Sequence, residues 1–443
     1  MSSQPLPLVA LVGRPNVGKS TLFNRIVGRR LAIVETVAGT TRDRLYAPAE
    51  WNGKAFNVVD TGGLELDETG ELTTRIRNQA RLAIDEADVV VLVTDTVAGL
   101  TAADHDVANL LRAADRPVVL AVNKAEKQAT RFDAAEFWSL ALGEPVPISA
   151  MHGGGTGDLL DRIAEALPER PAADEVDERL RVAIIGRPNV GKSSLLNRLV
   201  GQERMIVSDV PGTTRDAVDT TVRFHGEEIV LVDTAGIRRR GKVEAGIEKY
   251  AVLRAMRAIE RSDVAVLMID ALDGVTAQDT HIAGYVHDAG RGAIVAVNKW
   301  DLVEKDTHTI DAYRKAVRAE LKFLDYAPIV TLSALTGQRA ARVLEIARQI
   351  DATRKIRIAT GELNRVVAEL QARANPTRKG RALKLRYATQ AGVAPPTFVF
   401  FVNDVELVHF SFERFVENQL RERYGFEGTP IKLVFRAQRR DER

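Results

Sequence analysis

The sequence contains no cysteine. Disulfides, thiolate metal centres and cysteine nucleophiles are therefore excluded, and a reducing compartment fits. Aromatic residues are scarce, at 5% of the 443 residues. No apolar stretch approaches the roughly 20 residues that cross a bilayer. The opening segment, MSSQPLPLVALVG, lacks the basic n-region of a signal peptide, and its apolar run breaks into a glycine-rich loop, as a strand would. These absences predict a cytoplasmic protein without membrane association. A strong net charge is missing too, the formal value being +2 at pH 7. The charge is uneven, however. From Asp351 to Arg443 there are 18 Lys+Arg against 11 Asp+Glu, a surplus of seven, which leaves the rest of the chain mildly acidic. A basic end suggests a polyanionic partner; a merely solvated charged face is the alternative.

What is present is a repeat. With 45% hydrophobic residues the chain has material for two or three domains. GRPNVGKS occurs at Gly13–Ser20 and again at Gly186–Ser193, GTTRD at Gly39–Asp43 and Gly212–Asp216, and VDTGG at Val59–Gly63 is answered by VDTAG at Val232–Gly236. All three pairs share one offset of 173 residues. VNK (Val122–Lys124, Val297–Lys299) and the dipeptides Ser149-Ala150 and Ser333-Ala334 follow at slightly larger offsets. A constant offset that later drifts signifies one duplicated domain with small insertions. The expected division is 1–166 and 180–349 for the two copies, an acidic, proline-containing linker at 167–179, and an unrepeated basic domain at 350–443.

Each copy alternates short apolar runs with amphipathic stretches. Predicted strands are Leu8–Val12, Phe56–Val59, Val89–Val93 and Val118–Val122 in the first copy, and Val182–Ile185, Ile229–Val232, Val264–Ile269 and Ala293–Val297 in the second. Helix-like stretches such as Ser20–Val27 and Leu72–Ala87 intervene. That pattern predicts an α/β fold, a mostly parallel sheet with helices on both faces. Asn52-Gly53 and His225-Gly226 are hairpin signals that would make one edge strand antiparallel.

GxxxxGKS between a strand and a helix is the phosphate-binding P-loop. Its glycines, Gly13, Gly18, Gly186 and Gly191, let backbone N–H groups wrap a phosphate. Lys19 and Lys192 would reach the β- and γ-phosphates. Ser20 and Ser193 would ligate Mg2+, with Thr21 and Ser194 beside them. Asp60 and Asp233 end apolar runs where a carboxylate suits the outer shell of Mg2+, and Gly63 and Gly236 could offer an N–H to the γ-phosphate. Thr41 and Thr214 lie in loops where a threonine completes the Mg2+ shell only with the γ-phosphate present, which makes the loop a switch.

NKxD sets the base. Asn298, Lys299 and Asp301 form it in the second copy, and an aspartate there accepts from guanine N1–H and the exocyclic amine, a donor pair adenine lacks. The nucleotide is therefore GTP or GDP. The loops at Ser149-Ala150 and Ser333-Ala334 would support the base with backbone N–H groups. The first copy reads Asn123, Lys124, Ala125, Glu126, with a carboxylate one methylene further out. Two readings stay open, a loop that shifts to compensate and a site with weaker guanine selectivity. After the DxxG glycines stand Leu64 and Ile237, where Ras-type GTPases carry a water-orienting glutamine. Unaided hydrolysis is expected to be slow.

Together with TGELNR (Thr360–Arg365), PPTFVFFVND (Pro395–Asp404) and GFEGTPIKLVFR (Gly425–Arg436), the paired motifs resemble the Der, or EngA, family of double-GTPase ribosome-assembly factors over nearly the whole chain. The resemblance implies two P-loop GTPase domains in tandem and a C-terminal α+β KH-like domain. It implies action on the large ribosomal subunit and its rRNA. A monomer with room for regulatory protein partners is the further expectation. It also implies K+ near the phosphates, held in part by Asn16 and Asn189; a role for these asparagines in shaping the loop is the alternative. The third region is predicted as helix (Glu362–Arg373), strand (Ala382–Thr389), strand (Thr397–Asn403), helix (Phe412–Tyr424) and strand (Ile431–Phe435). It has no GXXG loop between paired helices, the clamp by which KH domains hold nucleotides. Its basic segments 378–381 and 436–440, and Arg238–Arg240 with Lys242 in the second switch region, suit rRNA phosphates, an acidic protein face or plain solvation. A scaffold whose docking is regulated by GTP, with hydrolysis incidental, is the rival function.

If Asn16 and Asn189 help to hold K+, replacing K+ by Na+ is expected to lower GTP turnover by about tenfold or more, because a cation among the phosphates neutralises developing charge. Turnover indifferent to the exchange would leave the asparagines as loop formers.

Overall fold

The computed structural model describes residues 6–28, 46–61, 77, 80–81, 83–114, 116–126, 134–168, 178–201, 206–207, 219–234, 248–304, 306–373, 377–378 and 381–437. The chain divides into two compact units, Ser3–Glu175 and one built on Val176–Arg443. No helix among the described residues is long and apolar enough to cross a membrane.

The first unit is a sheet of β1 (Leu8–Val12), β2 (Tyr46–Trp51), β3 (Lys54–Asp60), β4 (Val89–Asp95), β5 (Val118–Asn123) and β6 (Val146–Pro147), in the order β2-β3-β1-β4-β5-β6. All neighbours are parallel except β2 and β3. Every residue of β4 is buried, as expected of a strand covered on both faces. The β2–β3 hairpin turns on Asn52 and Gly53, both left-handed at φ 48° and 76°, which is the demand of a type I′ turn. Pro48 cannot donate to a ladder and lies on edge strand β2. Helices Lys19–Gly28 and Thr156–Ala166 close one face through Leu22, Phe23, Ile26, Leu159, Leu160 and Ile163. Of the expected helix Leu72–Ala87, residues 77, 80–81 and 83–86 are helical, Ala87 is not, and the rest lies outside the described residues.

The second unit repeats the design with β7 (Leu180–Ile185), β8 (Ile206–Val207), β9 (Thr220–Phe224), β10 (Glu227–Val232), β11 (Val264–Asp270), β12 (Gly292–Asn298) and β13 (Ile329–Thr331), ordered β13-β12-β11-β7-β10-β9-β8. Side chains alternate along β7. Val182 and Ile184 join a core with Leu195, Leu199, Leu344 and Ile350, while Ala183 and Ile185 join one with Ile259, Ile282 and Val317. The antiparallel edge contains β9 and also the two-residue β8, a strand that the apolar pattern was too short to reveal.

The C-terminal region has strands β14 (Thr377–Arg378), β15 (Arg381–Ala382), β16 (Leu385–Gly392), β17 (Thr397–Val402) and β18 (Lys432–Ala437), with helices Thr360–Arg373 and Phe410–Tyr424. In β16-β17-β18 the first pair is antiparallel and the second parallel. The two helices and the three strands of the main sheet follow the expected order, with the small β14-β15 pair added. The first strand is not Ala382–Thr389: Arg381–Ala382 pairs with β14, and the main ladder opens at Leu385, where Lys384 N–H donates to Asn403 Oδ1 at 2.8 Å.

This region docks on the second sheet. Gly428 accepts from Ala293 N–H, near the start of β12, at 2.7 Å and donates to Tyr326 O at 2.8 Å. A Cβ on Gly428 would stand 2.3 Å from the Ile350 side chain, so the approach needs glycine. Arg421 lies over the Tyr326 ring, 4.7 Å from its centroid, and burial pushes the Tyr326 hydroxyl pKa up. Arg354, closing helix Arg342–Arg354, is only 1% exposed; it donates to Asp263 O at 2.7 Å and pairs with Asp263 Oδ1 at 3.0 Å. Its own carbonyl accepts from Ala394 N–H at 3.0 Å. Removing one member of such a pair costs about 3 kcal/mol. Arg354→Ala is expected to lower the urea midpoint accordingly. A loss under about 1 kcal/mol would mean that the contact is idle.

Candidate nucleotide-binding sites

The P-loops run from β1 into helix Lys19–Gly28 and from β7 into helix Lys192–Val200. Gly13 and Gly186 have φ 150° and 140°, and a Cβ would meet Val93 O at 2.2 Å or Met268 O at 2.6 Å. Gly18 and Gly191 have φ 95° and 100°. The glycine spacing is thus a steric requirement, because the loop lies directly on the neighbouring strand. Lys19 Nζ donates to Gly13 O at 2.7 Å and Arg14 O at 2.9 Å, and Lys192 Nζ to Gly186 O at 2.7 Å and Arg187 O at 2.5 Å. Each ammonium is therefore held inside its loop. Asn16 and Asn189 are left-handed, at φ 65° and 64°. Asparagine tolerates that backbone better than most residues, so the fold already accounts for its presence.

Asn123 and Asn298 bring the separate motifs together. Asn123 Nδ2 donates to Val17 O of the P-loop at 2.7 Å, while its Oδ1 accepts from Ala150 N–H at 2.8 Å. Asn298 does the same with Val190 O at 2.7 Å and Ala334 N–H at 2.8 Å. Both amides press on the loop glycines: a Cβ on Gly18 or Gly191 would stand 2.3 or 2.2 Å from the amide nitrogen.

The lysine of each NKx motif is left-handed and pairs with a strand-end aspartate, Lys124 with Asp95 at 2.6 Å and Lys299 with Asp270 at 2.5 Å. Burial raises the Asp270 pKa, but Lys299, the Leu272 N–H and Arg187 outweigh it and hold the carboxyl below its ordinary value. The copies then diverge. Glu126 accepts from Ser149 Oγ at 3.2 Å, so the longer carboxylate is tethered to the Ser149-Ala150 loop. Asp301 makes no such contact with Ser333, although both hydroxyls accept from a loop N–H at 3.1 Å, Ser149 from His152 and Ser333 from Thr336.

At the phosphate end of the first copy, Ser20 Oγ donates to Asp60 Oδ2 at 2.5 Å. A hydroxyl and a carboxylate converging at the P-loop form an oxygen donor set that fits Mg2+. No cluster of three His, Cys, Asp or Glu able to hold a metal occurs among the described residues, so such an ion would depend on phosphate oxygens as well. In the second copy Asp233 is left-handed, at φ 57°, one residue beyond β10, and its N–H donates to Asp219 Oδ1 at 3.0 Å. Ser193 is the second residue of helix Lys192–Val200, as Ser20 is of its counterpart, with Ser194 and Thr21 next to them. Thr41, Gly63, Leu64, Thr214, Gly236, Ile237, Arg238–Arg240 and Lys242 lie outside the described residues.

Sequence reading missed three supporting pairs. Asp95 and Asp270 are one. Arg14 and Arg187 of the GRPN motif are another; they reach Asp104 at 3.3 Å and Asp279 at 3.7 Å, the acids of the capping boxes Thr101/Asp104 and Thr276/Asp279. Arg25 and Arg198 are the third. Arg25 donates to Ala150 O at 2.5 Å and to Met151 O, and Arg198 to Leu335 O, so each P-loop helix braces the loop that follows Ser149 or Ser333. All three recur in both copies, which was the signal available.

The chain matches the family described as "50S ribosome-binding GTPase" over residues 8–124 and 181–299, and that described as "KH-domain-like of EngA bacterial GTPase enzymes, C-terminal" over residues 357–436. It is 56% identical over 446 residues to the GTPase Der of Chloroflexus aggregans, covering 99% of each chain. It is 56% identical over 436 residues to the GTPase Der of Moorella thermoacetica, covering 98% of this chain and 99% of the relative.

The Ser149 tether should keep Glu126 serviceable. In a Lys192→Ala background that isolates the first site, Glu126→Asp is expected to change GDP affinity by less than about tenfold in titration calorimetry. Ser149→Ala should weaken it about fivefold, the worth of one hydrogen bond of ~1 kcal/mol. A much tighter Glu126→Asp site would mean that glutamate impairs guanine binding.

Proposed function

This chain belongs to the GTPase Der family and hydrolyses GTP, and from that premise we propose that it is a GTP-driven switch acting in maturation of the large ribosomal subunit. The observation that carries the reading is the match of both copies to a family described as ribosome-binding, on a chain whose relatives align over nearly their full length. Its working place is the cytoplasm, its partners are the large subunit and its rRNA, and it acts as a monomer open to regulatory proteins.

The reaction is in-line attack of water on the γ-phosphorus; the bond to the β–γ bridging oxygen breaks, giving GDP and phosphate. Lys19 and Lys192 would turn from the loop carbonyls to the β- and γ-phosphates. Ser20, Thr41 and Asp60, and Ser193, Thr214 and Asp233, would hold Mg2+, which supplies charge neutralisation when bound. Asn16 and Asn189 would contribute side-chain oxygens to K+. Asp301 and Glu126 would accept from guanine, with Ala150 and Ala334 N–H groups nearby. Gly63 and Gly236 would offer N–H groups to the γ-phosphate. With Leu64 and Ile237 unable to orient water, the γ-phosphate persists long enough to keep the Thr41 and Thr214 loops in one state, which suits a switch better than a fast enzyme.

Co-sedimentation with purified large subunits tests this. Binding is expected with a non-hydrolysable GTP analogue and to fall with GDP, and Lys19→Ala or Lys192→Ala should blunt the difference. Binding indifferent to nucleotide would favour the scaffold reading.

A further inference from the structure

One face of the β16-β17-β18 sheet carries the core, and the other carries an aromatic pair flanked by cations. Phe398, Phe400 and Phe435 point inward among the helices. Phe401 and Arg436 are register partners one residue further along each strand and therefore lie outward. A register shift between Leu385 and Tyr387 leaves Arg386 unpaired in the ladder. Leu385 and Ala388 on either side are buried, so the bulge turns both Arg386 and Tyr387 outward. Tyr387 then stacks on Phe401, with centroids 4.2 Å apart and planes 13° from parallel, while staying 39% exposed. Arg386, Lys432 and Arg436 are exposed, and none has a carboxylate partner among the described residues. The three strands contain no acidic residue.

We propose that this outward sheet face is a binding platform for single-stranded RNA, with bases stacking on Tyr387 and Phe401 and phosphates meeting Arg386, Lys432 and Arg436. An exposed ring stacked on a second ring extends a base stack, and unpaired guanidiniums beside it suit a phosphodiester backbone. An acidic protein surface could use the cations but has no use for parallel rings. The site differs from a GXXG clamp between paired helices: the one GXXG sequence of this domain, Gly425–Gly428, lies between a helix and β18, and Gly428 is bonded to Ala293 and Tyr326. The proposal rests on the ribosome reading for its RNA.

The test is fluorescence anisotropy of a dye-labelled, random-sequence decamer RNA with the full-length chain, beside co-sedimentation with large subunits. Tyr387→Leu is expected to weaken decamer binding about tenfold or more, and Tyr387→Phe to leave it within about twofold, because only the ring supports stacking. Arg386→Gln with Arg436→Gln should weaken binding and flatten its dependence on salt. Equal affinity for wild type and Tyr387→Leu, with thermal melts showing both folded, would overturn the platform. A wild-type chain that ignores the decamer but sediments with subunits would also overturn it while sparing the ribosome reading; failure of both would sink both.

Discussion

A single asparagine side chain in each copy joins three loops that lie far apart in sequence. Asn123 donates to the P-loop and accepts from the Ser149-Ala150 loop, and Asn298 repeats both bonds. Each bond is worth only about 1 kcal/mol net. Their importance is positional: an asparagine amide has its donor and its acceptor on separate atoms, so it can donate to one loop and accept from another at the same time. A carboxylate would set oxygen against the carbonyl of Val17 or Val190. The glycines at Gly18 and Gly191 follow from the same contact, since the amide occupies the space a Cβ would need. The P-loop and the Ser149-Ala150 or Ser333-Ala334 loop are thus tied to each other, and a nucleotide that used both would have less to order on binding.

Around that tie the two copies use different supports. Both serines accept from a loop N–H, and only in the first copy does the serine also donate to the acid of the NKx motif, Glu126. Strand β12 has a further role in the second unit. Near its start Ala293 is bonded to Gly428 of the C-terminal region, and its last residue is Asn298. One fully buried strand therefore runs from the docking contact to the nucleotide site. The buried Arg354 bridge fixes the same contact from the helix side.

Much of this was legible in the sequence, for identifiable reasons. β1, β4, β5 and their counterparts are mostly apolar, with any polar residues near their ends, because both faces are covered, so runs of valine and alanine marked them directly. The Asn-Gly and His-Gly turns marked the hairpins because left-handed backbone restricts residue choice. β8 was not legible, since two residues paired at an edge carry no periodicity. The split between β15 and β16 was hidden because Leu383 is buried as a strand residue would be while its backbone is not in a ladder. In the candidate sites the motif residues stood out by their chemistry, but the side chains packed around them did not. Asp95, Arg14 and Arg25 are ordinary charged residues in a sequence, and only the fold shows that they brace the loops. The outward pair Tyr387 and Phe401 was equally silent, because the bulge that aligns it breaks the alternation of a strand.

The central claim is that the same three-way tie builds two complete nucleotide sites on one chain. The number of GDP molecules bound per chain at saturation tests it most directly. The account predicts two for the intact chain, and one each for Lys19→Ala and Lys192→Ala at the same nucleotide concentration. One GDP on the intact chain, unchanged by either lysine substitution alone, would contradict it.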